Sequence, residues 1–318
     1  MKISLITPAK KQSKNGNRTT ALRWARMLRA SGNQVRIDVS YDGEDTDLMI
    51  AIHAWRSAPA IRHYRDCFPG GPLIVGLGGT DVNTFLQLRK ETTRRSMEMA
   101  DALICLHDLI GDALPAPLRE KLHVVRQSAM PLPGPRRPAK RTFDICVIGH
   151  LRDEKDPFRT ALAARLLPPH SRARVIHLGK AHTKKFASRA AAEMAINPRY
   201  RWLGEVPGWR VRRELAKTRL MVISSTQEGG ANVVSEAIAA GVPILASNIA
   251  GNVGLLGRDY PAYFPVGDEA ALARLLERAE TEPAFVETLE RFGRKSKHLY
   301  RPAREQAALK RIVNAVTQ

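Results

Sequence analysis

Ser224-Ser225-Thr226-Gln227-Glu228-Gly229-Gly230-Ala231-Asn232-Val233-Val234-Ser235-Glu236, running on into Ala237-Ile238-Ala239-Ala240-Gly241-Val242-Pro243, is the stretch from which the rest of the chain can be ordered. It is preceded by the short apolar run Leu220-Met221-Val222-Ile223, and beyond Gly230 the apolar positions 233, 234, 237 and 238 recur at helical spacing. A buried strand, a tight glycine loop and a helix start follow from this pattern. Glycine permits backbone conformations that a Cβ resists, and the first-turn N–H groups of a helix have no partner inside it. Such a loop, Gly229 to Ala231, suits an anion, with Asn232 as the expected N-cap and the helix dipole adding about 0.3–1 kcal/mol for negative charge.

Two carboxylates flank the loop, Glu228 at the strand end and Glu236 in the opening turns of the helix. A carboxylate accepts hydrogen bonds from both hydroxyls of a vicinal diol. Diol, diphosphate, diol is the outline of a nucleotide-sugar. The two glutamates around a glycine loop, in the second half of a βα chain, resemble the E-x7-E motif of family 4 glycosyltransferases with the GT-B fold. The resemblance implies an α/β chain of two Rossmann-like domains facing across a cleft. It also implies that Glu228 touches the donor hexose and Glu236 the ribose, with the backbone of Asn232, Val233 and Val234 near the diphosphate.

At 318 residues the chain is long enough for two domains, each with its own core. Cys67, Cys105 and Cys146 are widely spaced and form no metal-ligand pattern, so no metal is expected. Cys105 and Cys146 lie in apolar runs and read as buried thiols of a reducing compartment. No run approaches the roughly 20 apolar residues of a membrane helix. The first residues, Met1 to Ala9, read as a strand and not a secretory signal. A cytoplasmic location with no stable membrane insertion is the expectation. Lys and Arg number 51 against 31 Asp and Glu, a net charge of +20, which raises the question of a polyanion. Aromatic content is 6%, and no zinc spacing, RRM-type aromatic motif or bare basic helix is present, so nucleic acid is not expected as a partner.

The basic residues are concentrated at the start. Lys2, Lys10, Lys11, Lys14, Arg18, Arg23, Arg26, Arg29 and Arg36 precede the first acid, Asp38. Residues 3–7 form a strand, and Thr19 to Ala30 form a helix with Leu22, Ala25 and Leu28 inward and Gly32 as left-handed cap. Gln34 to Val39 is a second strand, completing a βαβ unit. Arg23, Arg26 and Arg29 read as a solvated helix face. Lys10, Lys11, Lys14, Asn15, Gly16, Asn17 and Arg18 stand at a strand's carboxyl end, where open α/β sheets bind ligands, and are candidates for an anionic acceptor. Asp45-Thr46-Asp47 precedes its strand and reads as a turn, not a metal motif.

The strand runs at 47–53 and 73–77 end in His53-Ala54-Trp55 and Gly78-Gly79-Thr80-Asp81. The latter resembles the His-Gly-Thr-Asp stretch of the same glycosyltransferases, with Gly78 in place of the histidine. Thr80 and Asp81 offer polar contacts to an acceptor, and either His53 or His107 stands in for the missing imidazole or its chemistry is not needed. Strands at 100–107 and 122–125 follow, and the proline-rich segment 130–138 reads as the linker. The expected domains are 1–137, joined by a C-terminal helix of about 300–318 that crosses back, and 138–299.

The second half opens with a strand ending in Gly149-His150-Leu151-Arg152-Asp153-Glu154-Lys155. Two cations at a strand's carboxyl end suit a diphosphate leaving group. The segment resembles the family's G-R-L-x-x-x-K-G, with His150 in the Arg position, so Lys155 carries over directly and Arg152 is the substitute cation. The loop containing Val206 lies where the family reads the nucleotide base, and the loop 249–252 near the donor.

Asn15 to Ala25, Gly149 to Arg152 with Lys155 to Phe158, and Glu228 to Val233 together resemble the selenosugar synthases of selenoneine biosynthesis. That resemblance implies transfer of GlcNAc or glucose from a UDP-sugar to selenophosphate, forming a carbon–selenium bond, with both small molecules as substrates and no cofactor. Two readings of other classes remain: a peripheral membrane GT-B enzyme acting on a lipid-linked or other sugar acceptor, and a non-enzymatic polyanion-binding protein.

Overall fold

Residues 1–13 and 16–318 are described by the structure, a computed structural model; Lys14 and Asn15, two of the expected acceptor residues, lie outside the described residues. The chain divides into two compact units, Met1–Ser128 with Pro302–Gln318, and Ala129–Arg301. Each is built on a six-stranded parallel sheet, as the α/β reading expects.

In the first unit the strands are β1 (Lys2–Ile6), β2 (Gln34–Asp38), β3 (Leu48–Ile52), β4 (Leu73–Gly76), β5 (Ala102–Cys105) and β6 (Leu122–Val124). They lie in the order β2-β1-β3-β4-β5-β6. Helices cover both faces, so the inner strands are buried throughout and read as continuous apolar runs. The order reverses between β1 and β3, which places the loops after these strands side by side at the carboxyl edge.

In the second unit β7 (Phe143–Ile148), β8 (Ala173–Leu178), β9 (Tyr200–Trp202), β10 (Leu220–Ile223), β11 (Ile244–Ser247) and β12 (Tyr263–Phe264) lie in the order β12-β11-β10-β7-β8-β9. Here the reversal falls between β7 and β10. The two-residue β12 was not expected, because so short a run carries no periodicity. The proline segment expected as a linker runs against this unit. Arg136 donates to the carbonyls of Gly241 and Thr218, and the Arg137 N–H donates to the Ala216 carbonyl at 2.8 Å.

The helix Gly16–Ala30 buries Ala25 and Leu28 as expected, but Trp24 and not Leu22 completes its inward face. Ala21, Trp24, Ala25 and Leu28 are buried, at spacings of three and four residues, whereas Leu22 is 45% exposed. The indole covers more apolar surface than Leu22 would. Its ring edge also fits against Gly76, where a Cβ would stand 3.2 Å from the Trp24 ring. Arg23 is likewise not on a solvated face: its Nε donates to Glu305 at 2.9 Å.

Glu305 belongs to the C-terminal helix Pro302–Val316, which packs on the first unit. Its carboxylate is fully buried and accepts four hydrogen bonds: from Arg23 Nε, from Trp24 Nε1 at 3.0 Å, and from Ser128 N at 2.7 Å and Oγ at 2.5 Å. Removing one member of such a buried pair strands the remaining charge and donors, at a cost of about 3–5 kcal/mol. Glu305→Ala is therefore expected to lower the unfolding free energy by about 3 kcal/mol in a denaturant titration, with faster amide exchange concentrated in residues 302–316.

Candidate functional site

The reversal between β7 and β10 assembles the polar groups of the second unit. Lys155 stands in the short turn after β7, and Glu228 in the loop after β10. Lys155 Nζ donates to Glu228 Oε1, and Ser225 Oγ donates to the same oxygen at 2.6 Å. The Glu228 side chain is 9% exposed. The two loops are laced by further bonds: Ser224 Oγ to the Asp156 carbonyl at 2.9 Å and Thr226 N to the Glu154 carbonyl at 2.9 Å. Asp156 closes the Lys155 turn in the left-handed region, φ 40° and ψ 60°.

The helix Asn232–Ala240 begins one residue earlier than the expected cap requires. Ala231 holds the cap position, extended at φ −80° and ψ 111°, so Asn232 is the first helical residue and not the N-cap. Alanine has no side-chain acceptor to offer the first-turn amides. Gly230 sits at φ 143°, a conformation side chains resist, which brings the chain into the helix. Val233 is half-buried, Val234 is buried, and Glu236 lies half-buried on this helix, two turns beyond Gly229.

The helix Ala250–Leu256 after β11, where a loop at 249–252 was expected, holds Glu228 from behind. A Cβ on Gly251 would meet the Glu228 carbonyl oxygen at 2.4 Å and the Glu228 Cβ at 2.7 Å. Asn252, fully buried, donates to Ser247 at its carbonyl (2.9 Å) and hydroxyl (3.0 Å), and Ser247 Oγ donates to the Ser225 carbonyl at 2.6 Å. Ser225, Ser247, Gly251 and Asn252 thus position Glu228; Gly251 and Asn252 fall in the 249–252 segment expected near the donor, whereas Ser225 and Ser247 were given no role by the sequence reading. The serine at the end of each strand was the available signal.

Arg152 is more loosely held, its Nε 3.7 Å from Glu154. His150 accepts from the Lys180 N–H at 3.1 Å and has its ring 5.4 Å from that of His182. Burial, with His182 and Arg152 nearby, holds its pKa below the ordinary value. Beneath them His177 bridges the sheet to the loop, its Nε2–H donating to the Gly149 carbonyl at 3.1 Å and its Nδ1 accepting from the Tyr200 hydroxyl at 3.0 Å. Burial pushes His177 down to about 4. Val206 packs half-buried beside Leu178 and Leu203.

In the first unit, Lys10 and Lys11 are exposed in the loop after β1, Gly16 is exposed, Asn17 is half-buried and Arg18 is buried. His53 is 2% exposed, with both ring nitrogens engaged. Its partners are the other two acceptor candidates: Asp81 Oδ1 at 2.7 Å from Nδ1 and Thr80 Oγ1 at 2.9 Å from Nε2. Asp81, fully buried, also accepts from the N–H groups of Ala54 (2.8 Å), Trp55 (2.9 Å) and Gly78 (2.8 Å). His107, the alternative imidazole, is buried, accepts from the Leu109 N–H at 3.2 Å, and is pushed by burial down to about 4.

The family model for glycosyl transferases group 1 matches residues 134–299. No curated protein matches the chain at the level of sequence. Among solved structures, Anabaena HepE in complex with UDP aligns with a TM-score of 0.81 at 14% identity, over 99% of this chain and 100% of that one. A sucrose-phosphate synthase from Thermosynechococcus elongatus aligns with a TM-score of 0.78 at 16% identity, over 99% and 98%. A glycosyltransferase from Rickettsia africae aligns with a TM-score of 0.75 at 12% identity, over 99% and 98%. These likenesses establish the GT-B-like fold. Among the described residues no helix is long and apolar enough to cross a membrane.

Two outcomes follow from this geometry. Gly251→Ala overpacks the Glu228 loop and should lower the unfolding free energy by about 1–3 kcal/mol, read as a lower denaturant midpoint. His177 and His107 are neutral in the fold but take up a proton near pH 6.5 once unfolded, so stability is full above about pH 6.5 and falls as pH drops toward 4. Denaturant midpoints measured from pH 7 to pH 4.5 should fall accordingly, and His177→Gln should flatten that slope.

Proposed function

We propose, from the premise that the chain belongs to the glycosyl transferases group 1 family, that it transfers GlcNAc or glucose from a UDP-sugar to selenophosphate, forming a selenosugar of selenoneine biosynthesis. The observation that carries the donor half is the meeting of Lys155 and Glu228 at the carboxyl-edge reversal of the second unit. In this reading the donor sits on that unit. Glu228 accepts from the hexose hydroxyls and Glu236 from the ribose, and Val206 lies by the base. Lys155, Arg152 and the amides from Gly229 to Val234 stabilise the charge that grows on the diphosphate, the kind of preorganised electrostatics that dominates such barriers. The UDP named for the HepE complex agrees with a uridine donor.

The acceptor half rests on Lys10 and Lys11, exposed in the loop after β1 at the carboxyl edge of the first unit, with Arg18 at the start of the following helix. A small polyanion is held by cations and backbone amides. Such a nucleophile is already charged, so the demand on a base is small and no metal or cofactor is required. A second reading, transfer to a sugar acceptor, is favoured by one observation. Trp55 and Phe85 stack at 4.0 Å and 18°, half-buried at the same edge, and aromatic walls suit a sugar ring.

Mass spectrometry of products from UDP-GlcNAc or UDP-glucose, offered selenophosphate together with orthophosphate and a neutral sugar, tests the proposal. A selenium-bearing hexose is the expected product, and glycosylation of the neutral sugar alone would overturn it. Glu228→Ala and Glu236→Ala should each lower kcat/KM for the UDP-sugar by about 10- to 100-fold, the loss of a charged hydrogen-bond acceptor.

A further inference from the structure

At the end of β3 the backbone of His53 is turned to φ 78°, a conformation non-glycine residues rarely adopt and that persists only where surrounding bonds over-determine it. The over-determination comes from Asp81, whose carboxylate gathers the N–H groups of the two residues after His53 and that of Gly78. Asp81 itself opens a π-helical turn, Asp81–Phe85, a rare geometry that concentrates at functional sites. The room for the imidazole exists because residue 78 has no side chain: a Cβ there would stand 3.2 Å from His53 Cδ2 and 3.4 Å from Asp81 Oδ2. A histidine is thus delivered from β3 into the space that a side chain on the β4 loop would otherwise fill.

The contacts also favour one place for its proton. Asp81 Oδ1 is a carboxylate oxygen 2.7 Å from Nδ1, an approach that favours the tautomer with the hydrogen on Nδ1. The Arg56 N–H lies farther from the same nitrogen, at 3.3 Å, and is the weaker claimant. Nε2 is then an acceptor, and the Thr80 hydroxyl at 2.9 Å donates to it. Carboxylate, imidazole and hydroxyl form a line in which the buried Asp81 and His53 stand behind a half-buried Thr80.

We infer that Asp81, His53 and Thr80 form a proton relay serving an acceptor that brings a proton, with Thr80 as the catalytic residue and His53 and Asp81 as the positioning pair behind it. The inference rests on the reading of the first unit as the acceptor side. As an acceptor lone pair forms its bond to C1 of the sugar, the C1–O bond to the diphosphate breaks and both its electrons leave with UDP. The acceptor's proton passes to Thr80 Oγ1, the Thr80 proton passes to His53 Nε2, and the imidazolium is held by the Asp81 carboxylate through Nδ1–H. A hydrogen-phosphate type of acceptor needs this once per turnover, and so does a hydroxyl or water.

Nitrogen and proton NMR of the imidazoles in the intact protein tests the relay without reference to turnover. His53 should be the Nδ1–H tautomer, and Thr80→Val should shift its Nε2 resonance; a proton resident on Nε2 would overturn the relay. For turnover, UDP release from UDP-GlcNAc is followed with selenophosphate, with orthophosphate, and with water alone. With orthophosphate or water, the acceptors that bring a proton, Thr80→Val should lower kcat about 10²-fold with little change in KM for the UDP-sugar, and Thr80→Ser should restore most of it. An unchanged kcat in Thr80→Val sinks the relay and leaves the selenophosphate reading standing. Thr80-dependent release to water with none to selenophosphate keeps the relay and removes the selenophosphate reading.

Discussion

A carboxylate that gathers donors from separate loops is the constraint on which this structure rests. Glu228 is held by Lys155 from the loop after β7 and by Ser225 from its own loop, with Gly251 closing in from the helix after β11. A charge this sheltered is retained only when it is paired and hydrogen-bonded. The pairing therefore settles the course of two loops at once, and those loops follow β7 and β10, between which the strand order reverses.

The first unit repeats the device twice. Asp81 draws the ends of β3 and β4 together and bends His53 into a conformation it would not adopt alone. Glu305 draws in Arg23, Trp24 and Ser128 and seats the C-terminal helix on the unit that the chain left at residue 128. At each point a single acidic residue joins segments far apart in sequence, some of them more than 170 residues apart. In a chain with a net charge of +20 such acids are scarce against the surrounding cations.

Much of the scaffold was legible because parallel sheets covered on both faces demand continuous apolar runs, as in β3, β4, β5 and β10. The glycine loop before Asn232 was legible for a similar reason: strand, glycines and helical spacing follow one another within a dozen residues. The inward face of the helix Gly16–Ala30 was legible at Ala25 and Leu28 but not at Trp24. Leu22 and Trp24 are both apolar, and the choice between them depended on Gly76 and Glu305, neither of which is near in sequence. The same holds for Arg23, which reads as a solvated arginine until the distant carboxylate is known.

The sequence by itself determined the α/β class, the glycine loop, the two glutamates around it and the cationic start, since these depend on local periodicity, residue chemistry and short spacing. Tertiary structure alone decided that Ala231 and not Asn232 caps the helix, that Gly251 presses on Glu228, and that His53 fills the place beside Gly78. Each of those outcomes turns on which backbone atoms arrive within about 3 Å of one another, a close-range steric matter that spacing along the chain does not encode.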